Sequence, residues 1–280
     1  MKAWALLWVG LLSASIQAQN EIHFRLIDNW AIVVNGTLAQ KSHVDMLIDT
    51  GAVPSAIDSR LAKQMGLSGN RSEISVMNRA IAAERVRVPE IRVGQVIGKE
   101  LEMVAVDLSK ISQALGIQIE AVIGLDLLGK QNFTLDYRHR RIEFGNVSTG
   151  MVPVRIEVGE EGGGMYIVIP VESEGQKWKL LLDTGTKDLM LFDKNERGRL
   201  NALPTRARVS NVNAGGEDHL DEIQLPSVSL GTLTRKKQRA YIWTTTEDKQ
   251  HGFDGVLGPT AFGISAIQFD FRRGMIQVRP

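Results

Sequence analysis

The stretch Leu180-Leu181-Leu182-Asp183-Thr184-Gly185 has a twin in Met46-Leu47-Ile48-Asp49-Thr50-Gly51. In both, three apolar residues suited to a buried strand carry an acid onto a turn, and a hydroxyl and a glycine follow. A carboxylate at the end of an apolar strand is costly unless hydrogen bonds or a shared proton compensate it. At average residue usage, chance supplies a given three-residue string of this kind roughly 0.05 times in a chain of this length. Two copies in matched apolar settings therefore mark a repeated unit.

The spacing extends the repeat. Asp49 is followed by Ala121-Val122-Ile123-Gly124-Leu125 and Asp183 by Gly255-Val256-Leu257-Gly258-Pro259; the acids are 183 − 49 = 134 apart and the glycines 258 − 124 = 134 apart. Leu135-Asp136-Tyr137 and Phe269-Asp270-Phe271 keep the same offset, as do Ile142 and Ile276. A repeat of this length fixes the architecture before any local reading does. The chain divides into a leader over 1–18, a first unit over 19–149 and a second over 150–280, with Gly145 to Gly150 composed as a linker.

The 280 residues carry a formal net charge of +1, so no global field argues for nucleic acid or an anionic membrane. There are no cysteines, which excludes disulfides, thiol catalysis and Cys-ligated metal. The five histidines are scattered, without an HExxH pair or a Gly-x-Ser-x-Gly elbow. No metal or cofactor is expected. Lys2, an apolar run from Ala3 to Ala14 and the small-residue exit Ser13 to Ala18 predict a signal peptide cleaved after Ala18. The expectation is an exported protein, periplasmic or secreted, with no stable membrane insertion after leader cleavage.

The remainder reads as β. Trp30 to Val34 and His43 to Ile48 are strands, with Asn35-Gly36 as the hairpin turn between them. Ser59 to Gly66 and Leu125 to Gly129 read as short helices. Ile74 to Val88 reads as a projecting hairpin with its tip near Asn78 to Ala83; Val209 to Glu222, with Gly215-Gly216 near the tip, fills the same slot in the second unit. Phe133 to Asp136 with Arg141 to Phe144, and Gln268 to Phe271 with Met275 to Val278, form closing hairpins. Gly159 to Gly164 lacks the Lys and Ser/Thr of a phosphate loop and reads as a turn.

One such carboxylate does little alone. Two brought together by docking the units face to face cannot both ionise easily, so they share a proton and hold a water between them. Such a pair can deprotonate the water while its protonated partner donates to a carbonyl, which is general acid–base hydrolysis of an amide. Gly51 and Gly185 let backbone N–H groups approach the acids. Thr50 and Thr184 carry hydroxyls able to bond across the interface between units.

These residues resemble the aspartic protease superfamily, and within it the retropepsin-like branch found in exported bacterial proteins. The resemblance covers nearly all of residues 21 to 280, with the family's elements in order in both halves. It implies an all-β fold with short helices, built as two tandem retropepsin-like lobes related by a pseudo-twofold axis. It also implies Asp49 and Asp183 as the catalytic pair, supported by Thr50, Gly51, Thr184 and Gly185, with flaps around Asn78 and Gly215 over a peptide or unfolded-protein substrate. Retropepsins assemble from two identical chains; here both lobes lie in one chain, and a monomer is expected. The motifs depart from the pattern at Ala52 to Ser55 and at Thr186 to Leu189, where Lys187 lies either near the acids or beside Asp188. The first flap has no glycine and neither flap has a tyrosine. These departures keep open a catalytically weak module that binds peptides or partner proteins.

Overall fold

The computed structural model describes residues 20–76, 79–145, 150–161, 163–192, 204–213, 215–243 and 252–280. The expected leader, most of the expected linker and Asn78 lie outside the described residues. Among the described residues the fold is mostly β, in three sheets. Among the described residues, no helix is long and apolar enough to cross a membrane.

Each half builds an eight-stranded sheet around the strand that carries its acid. In the first half, Lys41–Ile48 pairs antiparallel with Ala31–Leu38 and parallel with Ala121–Ile123. Its apolar run is continuous because both faces are covered. Met46 and Ile48 enter the main core, while Leu47 enters a second cluster on the opposite face. In the second half, Leu180 and Leu182 face the main core and Leu181 faces the other side. The register repeats as well, with Leu47 opposite Val122 and Leu181 opposite Val256.

The halves join through the third sheet, six strands drawn from both. Phe133–Asp136 pairs antiparallel with Ala266–Asp270, placing Thr134 opposite Gln268. Since 134 + 134 = 268, each residue of that pair faces its own repeat mate, so the pseudo-twofold axis passes between them. Both are buried, and Gln268 Nε2 donates to Thr134 Oγ1 at 3.2 Å. Phe133 and Phe269 stack beside them with centroids 4.4 Å apart. Asn132 Nδ2 donates to Asp270 Oδ1 at 3.1 Å, a further tie between halves. One apolar core runs continuously through both.

Two further contacts cross the interface. Gly164, at the start of strand Gly164–Ser173, lies so close to Val53 and Pro54 that a Cβ there would meet Pro54 Cα at 3.0 Å. The helix Ser109–Leu115 of the first half rests against strand Ala207–Asn213 of the second half's projecting hairpin.

The closing hairpins and the helices Ser59–Gln64 and Leu125–Leu128 fall where the sequence places them. The Ser109–Leu115 helix is not anticipated: its only buried side chain is Leu115, which leaves little periodic pattern to read. The hairpin turn expected at Asn35-Gly36 is corrected. Both residues lie inside strand Ala31–Leu38, and the chain turns at Ala39-Gln40. Gly36 serves close packing, since a Cβ there would meet Arg92 O at 2.6 Å and Met46 Cε at 2.7 Å, beside a register shift between Gly36 and Leu38. The first projecting hairpin is longer than expected, with strands Asn70–Val76 and Arg79–Val93, so Ala80 to Ala83 belong to the return strand and not to the tip. In chemical denaturation, Gly36→Ala should lose about 1–3 kcal/mol through overpacking; a variant as stable as wild type would contradict this packing.

Candidate functional site

The site starts from the parallel ladders. Asp49 N donates to Ile123 O at 2.9 Å and Asp183 N to Leu257 O at 3.1 Å, so the ladder extends to each acid's own backbone. Gly124 and Gly258 then pack onto the turns that follow the acids, against Ala52 O and Thr186 O respectively, with no room for a Cβ at either. The apolar-apolar-Gly elements are thus the floor on which both turns sit.

Thr50 and Thr184 lock the turns to each other. Thr50 Oγ1 donates to Leu182 O at 2.7 Å and accepts from Thr184 N at 3.1 Å. Thr184 Oγ1 donates to Ile48 O at 2.9 Å and accepts from Thr50 N at 3.1 Å. Both residues are buried, at 0% and 1% exposure, so water cannot replace these bonds. Because 50 + 134 = 184, this is again a residue facing its own mate, on the same axis as Thr134 and Gln268.

The acids meet beside this network. Gly51 N donates to Asp49 Oδ1 at 2.8 Å, and Gly185 N to Asp183 Oδ1 at 2.6 Å. A Cβ on Gly51 would lie 2.6 Å from Asp183 Cγ, and one on Gly185 2.5 Å from Asp49 Cγ. Each glycine is therefore required by the acid of the other half, not by a left-handed backbone. The two carboxyls are within hydrogen-bonding reach of each other. Burial lifts Asp183 well above the ordinary carboxylate range, and the neighbouring Asp49 charge lifts it further. Burial also raises Asp49, against the hydrogen bonds it receives from Asp183, Gly51, Ala52 and Gly185. The pair thus retains a proton at pH values where ordinary aspartates have lost theirs, and its titration belongs to both groups together.

The first half holds its turn with a device that the sequence reading missed. Ser55 Oγ donates to Asp126 Oδ1 and accepts from Gly124 N at 2.8 Å, while Ser55 N donates to Asp126 Oδ2 at 2.9 Å. Burial raises Asp126, partly offset by these bonds. An acid inside the apolar run from Ala121 to Leu128 is the same signal that singled out Asp49. The mates of Ser55 and Asp126, at 55 + 134 and 126 + 134, are Leu189 and Thr260, so the second half lacks this pair. There Gly258 N donates to Asp188 O at 2.9 Å instead. Lys187 is exposed, and its charge falls on Asp188.

At the second projecting hairpin, Gly215 N donates to Asn213 Oδ1 at 2.8 Å, closing the turn. A groove of about 1300 Å³ lies apart from the acids, between the Ser59–Gln64 helix and the base of the first projecting hairpin. Its rim mixes Arg60, Lys63 and Arg71 with Glu73, Glu84 and Asp107 and brings no reactive pair together. Among the described residues, no three histidine or acidic side chains cluster as metal ligands.

A family model described as Aspartyl protease matches residues 32–127 and 169–260, one match in each half. The chain belongs to the aspartyl protease family. Both matched regions run from the strand before the acid to the apolar-apolar-Gly element beyond it. The family therefore accounts for the two tandem lobes and their retropepsin-like plan. No curated protein matches the chain.

Two outcomes follow. Thr184→Val removes two buried bonds and should cost about 2–6 kcal/mol in denaturation, whereas Thr184→Ser should stay near wild type. The acid pair should also shape stability against pH. Its folded pKa lies above the unfolded value, so its contribution is complete at acid pH and is lost as pH rises through the raised pKa. Asp183→Asn removes that loss, so its melting temperature relative to wild type should climb between acid and neutral pH. A constant difference would show that the pair is not proton-linked.

Proposed function

We propose that this chain is a single-chain aspartic endopeptidase in which Asp49 and Asp183 together activate a water against a peptide carbonyl. The water gives its proton to the ionised carboxylate as its oxygen bonds to the carbonyl carbon. The protonated carboxyl gives its proton to the carbonyl oxygen. Collapse of the tetrahedral intermediate breaks the C–N bond as the leaving amine takes up a proton, and the pair is left with one proton again. An extended segment of peptide or unfolded protein would lie beneath the two projecting hairpins, and no cofactor enters. The reading rests above all on the acid pair: two half-buried carboxyls, one per lobe, held together by the reciprocal threonine bonds. Since one chain supplies both acids, the working unit is a monomer. The leader-like sequence over residues 1–18 supports export to the periplasm or beyond.

The glycine-free first hairpin favours a second reading, in which the lobes hold peptides without cutting them. One assay separates the two. Wild type incubated with an unfolded protein across a pH series should release fragments, with a rate that falls on both sides of the singly protonated window. Asp49→Asn and Asp183→Asn should each lower that rate by about 10²–10⁴-fold with circular dichroism unchanged. Binding without fragments at every pH would establish the second reading, and full activity in either variant would reject the shared pair.

A further inference from the structure

The span Ala52-Val53-Pro54-Ser55 leads from the Asp49 turn back into the sheet, and it is fastened at both ends. At its start, Ala52 N donates to Asp49 O at 3.2 Å and closes the turn. At its end, Ser55 is fully buried, its O accepting from Val104 N at 3.0 Å and its Oγ from Gly124 N at 2.8 Å. Between them, Val53 and Pro54 meet Gly164 of the other lobe. Asp126 grips the far end, taking one bond from Ser55 Oγ and another from Ser55 N at 2.9 Å, while Leu127 N donates to it at 3.0 Å. Its short helix, Leu125–Leu128, packs on strand Gly164–Ser173, the same second-lobe strand that reaches Val53 and Pro54.

The fold alone does not call for this acid. None of its three donors is a cation, and a carboxylate withdrawn from water without one is costly. Burial accordingly raises Asp126. The second lobe builds its own acid turn with Leu189 and Thr260 at the matching places. What the pair supports is therefore particular to the first turn. That turn has little tolerance for movement. A Cβ on Gly51 would lie 2.6 Å from Asp183 Cγ, and Gly51 N donates to Asp49 Oδ1 at 2.8 Å. A shift of the turn disturbs both contacts at once. The threonine bonds fix it to the other lobe, and Ser55 with Asp126 fixes it to its own sheet.

We propose that Ser55 and Asp126 are positioning residues for the acid pair: bonded to each other, they hold the first turn so that the Asp49 carboxyl faces Asp183. Neither enters a bond-making step. Because the second lobe lacks the brace, it can be cut while the Asp183 turn keeps all of its own supports. The inference rests on the acid pair being the reactive site, and one of its two readouts is independent of turnover.

In the full chain, the amide ¹H–¹⁵N signals of Gly51 and Gly185 report the bonds to Asp49 and Asp183, and steady-state peptide cleavage reports the pair at work. Ser55→Ala and Asp126→Asn should each shift the Gly51 signal far more than the Gly185 signal. Each should lower kcat by about 10–100-fold with KM within about twofold, since a misplaced group costs the chemical step more than binding. The double variant should be no slower than the slower single one, because the two residues act through one contact. Ser55→Thr keeps the hydroxyl and should hold kcat within about threefold of wild type. Ser55→Ala deletes a single oxygen, so it decides the matter even if Asp126→Asn does not fold. If folded variants keep the wild-type kcat, if the losses multiply in the double variant, or if both glycine signals shift alike, the positioning role is overturned. If Gly51 alone shifts but wild type cuts no peptide, the brace keeps its role and the peptidase reading falls instead.

Discussion

The structure turns on four hydrogen bonds between two buried threonines. Each hydroxyl donates to the backbone carbonyl before the other lobe's acid and accepts an N–H from the other threonine's backbone. Every donor in the set is therefore met by the opposite lobe, and neither turn is complete alone. Leaving such groups unpaired in a dry interface costs more than forming them gains, which makes docking close to all-or-none. A second self-facing pair, Thr134 and Gln268, lies on the same axis in the shared sheet. The two contacts define a line through the interface, and the acids flank it. Their proximity is thus a property of the whole interface rather than of two side chains.

The symmetry is incomplete in an informative way. A twofold dimer of identical chains must place any residue at both symmetry-related positions. Fusing the halves into one chain removes that constraint, and this molecule differs where the pair is supported. The first lobe braces its turn with Ser55 and Asp126, and the second with the backbone of Asp188. Gly164 closes on Val53 and Pro54 from the second lobe, and a first-lobe helix rests on the second lobe's hairpin. A reaction in which one carboxyl holds a proton while its partner lacks one is served by unequal surroundings.

Much of this was legible because the repeat offset is a long-range statement. It located both acids, both threonines, both apolar-apolar-Gly elements and both closing hairpins, since these share one register. Residues whose role depends on contacts between strands distant in sequence were harder to read. Gly36 looked like a turn residue because Asn-Gly is a strong local signal, yet the packing of Arg92 and Met46 against it decides its role. Ser55 is an ordinary small polar residue until Asp126 folds beside it. The Ser109–Leu115 helix has no mate motif to announce it and buries too little to show a period.

The central claim is that one proton is shared between Asp49 and Asp183. Neutron diffraction from crystals grown in deuterated solvent at mildly acidic pH tests it most directly. The account predicts nuclear density for a single deuteron on the facing oxygens of the two carboxyls. Density showing both carboxylates free of deuterium at that pH, or carboxyls turned away from each other, would contradict it.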